Sequence, residues 1–219
     1  AYVPGDVYFT PKAPAFVKSR LLSDTNQNSV VLKLDKWRHF MWVKDTTPWA
    51  EKMDKVIFRG KIRWSRQRTQ FLEMYFGHPM CDGGVVGNEE VNPEWKTPKK
   101  TIREHLDYKF IMALEGNDVA TNLKWVMSSN SLAVMPRPTC ETWFMEGRLV
   151  PNVHYVEIKS DLSDLEERMN YYISHPDEAQ RIIDNAHEFV RQFMNEEREQ
   201  LIQFLVAEKY LRLSGQQAL

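Results

Sequence analysis

Two short stretches carry residues able to hold an anionic ligand. In VIFRGKIRWSRQR, residues 56–68, Arg59 and Gly60 close an apolar run, and Lys61, Arg63, Arg66 and Arg68 follow. A guanidinium offers a planar fork that takes two phosphate oxygens at once, and a glycine lets backbone approach closely, so the cluster reads as a diphosphate cradle. The competing reading is a solvated helix face. In EGND, residues 115–118, a turn joins a buried strand to a helix N-terminus, where unpaired N–H groups attract anions. Gly116 permits the turn, and Asn117 or Asp118 can cap the helix. Thr121 and Lys124 lie three apart on the next turn, so a hydroxyl and an ammonium could meet one phosphate or sugar, with Leu123 and Val119 turned into the core. Glu115 suits sugar hydroxyls or ribose better than phosphate.

Other candidates are weaker. Trp143, between Glu141 and Glu146, could stack on a sugar, although a buried tryptophan is the commoner outcome. His78 and His154 have no metal-ligand partners at useful spacing. No Walker loop, nucleophile elbow or kinase signature occurs.

The elements that must position these residues follow from periodicity. VIFRG (56–60), YKFIM (108–112), SLAVMP (131–136) and HYVEI (154–158) read as strands, and SVVLKL (29–34) as a further one. A helix is expected over about 66–76 with Phe71, Leu72, Tyr75 and Phe76 as its stripe, and another from about Asp118. Ser163 and Glu166 suggest a capping box, Pro176 opens the next helix, and a last one spans about 196–212 and carries Leu201, Ile202, Leu205, Val206 and Tyr210. Residues 77–100 read as a long loop. The expected architecture is a Rossmann-like α/β domain at 51–195, preceded by residues 1–50 and followed by a C-terminal helix segment, 196–219.

Composition narrows the class. Lys plus Arg (29) nearly balance Asp plus Glu (30), so the overall field gives no argument for nucleic acid. No apolar run approaches the roughly 20 residues of a membrane span. Cys81 and Cys140 read as buried free thiols, and no N-x-S/T site is present, which fits a cytosolic protein. The chain opens on Ala1, not methionine, and reads as a truncated or processed product.

Residues 108–167, with LEGNDVATNLKW at their heart, resemble the diagnostic region of glycosyltransferase family 90; FRG at 58–60 with Arg68, and GDVYFTPKAPAFVKSR near the start, extend the likeness. It is nearest to the bacterial lipopolysaccharide branch; the family also holds fungal capsule-associated and animal protein O-glucosyltransferase branches. The resemblance implies a GT-B type enzyme that transfers a sugar, with inversion and no obligatory metal or other cofactor, from a UDP-sugar to a lipopolysaccharide or related surface glycan. A cytoplasmic protein, peripheral at the inner membrane, is implied. By position, Arg59, Gly60 and Arg68 would meet the diphosphate, and the EGND turn through Lys124 the nucleotide and sugar. Animal members carry an arginine where this chain has Asn122, so Lys124 or Arg66 would substitute. Their catalytic aspartate falls at Ser19, which cannot act as base; Asp6 is the candidate, and residues 1–50 would be the remnant of an acceptor-side domain. The alternative is a sugar-nucleotide-binding module without turnover.

Overall fold

A computed structural model describes residues 1–216. In chain order the strands are β1 (Ala15–Val17), β2 (Ser19–Leu21), β3 (Ser29–Val31), β4 (Met53–Gly60), β5 (Cys81–Val85), β6 (Tyr108–Met112), β7 (Leu132–Met135), β8 (Cys140–Thr142) and β9 (Val156–Glu157). The helices are α1 (Lys36–His39), α2 (Arg66–Tyr75), α3 (Ile102–His105), α4 (Leu123–Met127), α5 (Leu165–Ser174), α6 (Pro176–Arg191) and α7 (Glu196–Leu213). The last three residues of the segment 196–219 lie outside this description.

The centre is a five-stranded parallel sheet in the order β5-β4-β6-β7-β9, as in a Rossmann-like α/β fold. Alternation along the strands sorts side chains to two faces. Val56, Phe58, Phe110, Met112 and Val134 pack under α2, α5 and the first half of α6. Ile57, Ile111, Ala133 and Met135 face α4, the second half of α6 and Val17 and Val31 of the N-terminal segment. Both faces are covered, so β6 is buried along its whole length.

Several sequence expectations need correction. The supposed loop 77–100 contains β5, an edge strand paired with β4. Its sequence, CDGGV, has little β propensity; pairing holds it, together with Thr97, whose N–H donates to the Val85 carbonyl at 3.0 Å. The strand at 29–34 shortens to β3, and Phe76 is 38% exposed. No capping box forms at Ser163, whose hydroxyl instead donates to Asp161 Oδ1 at 2.8 Å. On α7, Leu201, Ile202 and Leu205 are exposed, whereas Tyr210 of the expected stripe is buried against the N-terminal segment. Tyr210 donates its hydroxyl to the Pro14 carbonyl at 3.0 Å and packs on Phe16 with centroids 4.2 Å apart. Both cysteines are free and buried. Among the described residues, no helix is long and apolar enough to cross a membrane.

At Gly84 the sheet edge has no room for a side chain: a Cβ there would lie 1.9 Å from Thr97 Oγ1 and 2.7 Å from Thr97 Cβ. Gly84→Ala is therefore expected to lower stability by about 1–3 kcal/mol. Urea unfolding measures it, and an unchanged midpoint would show that the edge yields freely.

Candidate functional site

In a parallel sheet, ligands gather beyond the carboxyl ends of the strands, where the strand order reverses. Here the chain runs from β4 outward to β5 and then returns to the other side of β4 as β6, so the reversal lies between β4 and β6. Arg68 occupies that gap. It sits in the first turn of α2, where the N-cap Ser65 accepts from the Arg68 N–H and donates its hydroxyl to the Glu115 carbonyl at 2.8 Å. The guanidinium donates from Nε and Nη2 to the Leu114 carbonyl (3.2 and 2.8 Å) and from Nη1 to the Lys61 carbonyl (2.9 Å). One side chain thus ties the two strand tips. Of the five N–H groups of a guanidinium, two stay uncommitted. Burial lowers the Arg68 pKa from its usual value, opposed by Glu89 and Asp118, and the group stays cationic.

The guanidinium also explains Gly116. A Cβ at that position would lie 3.0 Å from Arg68 Nη2, so a larger residue would press on the guanidinium that the 115–118 turn covers. The turn does not start a helix as expected. Gly116 N–H donates to the Asp118 carbonyl at 3.0 Å, and α4 begins only at Leu123 and has five residues, too short to present a charged N-terminus. Asn117 and Asp118 instead face the N-terminal segment.

There Asp6, Lys18, Ser19 and Arg38 meet them. Antiparallel pairing of β2 with β8 sets Ser19 opposite Thr142 and so fixes Lys18 and Ser19 beside the turn. Lys18 Nζ, 5% exposed, bridges Asp6 and Asp118, the latter at 2.8 Å. Ser19 donates its hydroxyl to Asp118 Oδ2 at 2.6 Å, and Asn117 Nδ2 donates to Asp6 Oδ2 at 3.2 Å. The side chain of Asp6 is 29% exposed against 5% for Asp118, so of this pair Asp6 is the one open to an incoming group. Partial burial would raise the Asp6 carboxyl. The hydrogen bonds from Lys18 and Asn117, with the charges of Lys18 and Arg38, outweigh that and hold it below the usual carboxylate range.

A crevice at the ends of β6 and β7 adjoins this cluster, lined by Gln67, Glu115, Val119, Met135, Arg137 and Glu146. Glu115 borders it but is largely engaged, accepting from Thr139 N–H (2.9 Å), Thr139 hydroxyl (2.6 Å) and Cys140 N–H (3.2 Å); burial pushes its carboxyl up against those bonds. A larger cleft of about 630 Å³ opens elsewhere, between β3, the end of α6 and α7. It contains none of the carboxyl ends of the five-stranded sheet, so the candidate site is placed at the reversal point.

Four expected ligands stand apart from this site or carry other duties. Arg59 folds back to ion-pair with Asp82 and donates to the Asp82 carbonyl at 2.7 Å, while Asp82 also accepts from Tyr108; it braces the sheet edge. Lys124 is fully buried, its ammonium 2.5 Å from Glu146 Oε1 and over the Phe144 ring. Asn122 donates to the Met112 carbonyl at 2.9 Å. Arg66 is exposed at the start of α2, with no ion pair among the described residues. Gly60 remains at the β4 tip, accepting from Val86 N–H at 3.1 Å, and Thr121 is half-buried near the turn. Trp143 is buried and donates to Glu199 at 2.6 Å. Sequence reasoning overlooked Lys18, which the FVKSR segment contains, and Glu89, whose carboxylate caps the β4–α2 turn; a tertiary contact alone reveals the latter. It also overlooked His39, 1% exposed, whose Nδ1 has no partner among the described residues. Burial, with the charges of Lys124, Lys18 and Arg38, lowers the His39 pKa to about 3, so it stays neutral.

Fold and geometry together define an α/β protein built on a parallel sheet, with a cation-braced candidate site at its topological switch point. The sequence matches the profile of Glycosyl transferase family 90 over residues 29–214, most of the chain, and the protein belongs to that family. It is 43% identical over 209 residues to O-glucosyltransferase LpsA of Dichelobacter nodosus, covering 95% of this chain and 65% of that protein. Human Protein O-glucosyltransferase 1 is 26% identical over 156 residues (66% of this chain, 38% of that one). Human Protein O-glucosyltransferase 3 is 27% identical over 168 residues (74% and 32%). The chain therefore spans less than two thirds of the length of these curated relatives.

The burial of Lys124 yields a test. Removing one partner of a buried pair strands the other charge, so Lys124→Met is expected to cost about 3–5 kcal/mol. Lys124→Met with Glu146→Leu should recover part of it. Denaturant unfolding distinguishes this from a ligand-facing lysine, whose loss would leave stability intact.

Proposed function

We propose that this chain is the donor-binding part of an inverting glycosyltransferase of GT-B type that moves a sugar from a UDP-sugar to a lipopolysaccharide or related surface glycan. The relatives' names make glucose the sugar of choice. The observation that carries the reading is Arg68 at the strand reversal, with two N–H groups to spare, beside a glycine turn that faces a partly exposed carboxylate. Family membership and the resemblance to O-glucosyltransferases support it. Work at the cytoplasmic face of the inner membrane, with the protein bound peripherally, fits such an acceptor.

In this reading the diphosphate lies over Arg68, and the nucleoside and sugar extend from it past Asn117 and Thr121 toward Asp6. The acceptor oxygen attacks the anomeric carbon from the face opposite the leaving group. Its proton passes to Asp6, and the bonding pair departs with UDP, whose new charge Arg68 stabilises. Asp118 is excluded as base because Lys18 and Ser19 enclose it.

Asp6→Asn should lower turnover, read as UDP release from UDP-glucose with lipopolysaccharide acceptor, by about 10²–10⁴-fold. UDP affinity should stay unchanged; undiminished turnover would place the base elsewhere. The sign of the pH dependence follows from the lowered pKa. Asp6 remains ionised, and turnover persists, until pH falls below the ordinary carboxylate range. An acid limb at or above that range would contradict the assignment.

A further inference from the structure

The two amides that follow the β4 tip are already occupied. Ile62 N–H donates to Glu89 Oε2 at 2.7 Å, and Arg63 N–H lies 3.3 and 3.4 Å from the two oxygens of the same carboxylate. Adjacent N–H groups that converge on one anion are how a chain grips phosphate oxygens. The tip loop is shaped for such convergence: Trp64, 77% exposed, is held at φ 69°, a left-handed conformation uncommon for a bulky residue. Glu89 reaches the loop from beyond β5, past a turn at Gly87 with φ 98°. Its charge is also felt at the Arg68 guanidinium next door.

We propose that the Ile62 and Arg63 amides, with the two uncommitted N–H groups of Arg68, form a phosphate subsite that Glu89 fills in the free protein and yields to a phosphate of the nucleotide. The inference rests on the donor-site reading above and adds the subsite and its internal occupant. A carboxylate in this position keeps two inward-facing backbone donors paired when no ligand is bound. It also sets a threshold, since an incoming anion must displace a like charge from the same donors. A diphosphate, with more charge and the Arg68 fork to engage, can do so where a neutral nucleoside gains nothing from the exchange.

The exchange is read by calorimetric titration of the chain and its Glu89→Gln variant with UDP and with uridine. Glu89→Gln keeps the shape and a carbonyl acceptor but removes the charge, so UDP should bind roughly fivefold tighter while uridine is unaffected. Glu90→Gln, which neutralises the exposed neighbour, should match the unaltered chain. Unchanged or weaker UDP binding by Glu89→Gln overturns the inference, as does an equal gain for uridine or an equal gain in Glu90→Gln. Those results leave the donor reading standing provided UDP binds; if UDP binds neither the chain nor the variant, both fall.

Discussion

The Arg68 guanidinium ties the ends of two neighbouring strands beyond their last ladder pair, Ile57 with Ile111, spending Nε, Nη1 and Nη2 on the carbonyls that follow β4 and β6. Much of the site follows from that placement. Gly116 lets the 115–118 turn lie close over the guanidinium, and the turn directs Asn117 and Asp118 toward the N-terminal segment. A half-buried cation at the point where the strand order reverses is costly unless hydrogen-bonded. The carbonyls meet that cost and leave the remaining N–H groups for a ligand.

The second constraint is electrostatic and joins the first 50 residues to the sheet. Lys18 stands between Asp6 and Asp118 with its own side chain buried, so one ammonium ties both carboxylates in place. Ser19 and Asn117 complete the arrangement from either side. What distinguishes the two acids is access, which their sequence positions do not reveal.

Where the sequence was legible, one periodicity governed the segment. Residues 56–58 of β4, with β6 and β7, are runs buried on both faces, and α2 and α6 carry stripes packed on one of them. β5 escaped because its two glycines and an aspartate are chosen for close contact with Thr97 and for the Arg59 pair, not for strand propensity. Lys124 misled because it lies in α4, a helix buried on every side, and helical phase could not show that Glu146 waits beside it. Arg59 misled likewise: its place at a strand tip was right, and its partner, Asp82, lay on a strand not foreseen. The link between Asp6 and Asn117 spans 111 residues, a contact only the folded chain can make.

The central claim is that Arg68, besides bracing two strands, is the principal cation for a nucleotide diphosphate. Calorimetric titration of UDP into Arg68→Gln tests it most directly, since the amide can still donate to one strand carbonyl while the charge and the fork are gone. The account predicts a loss of about 1.5–3 kcal/mol, roughly tenfold or more in affinity, in a variant whose circular dichroism shows it folded. UDP affinity equal to that of the unaltered chain would contradict it.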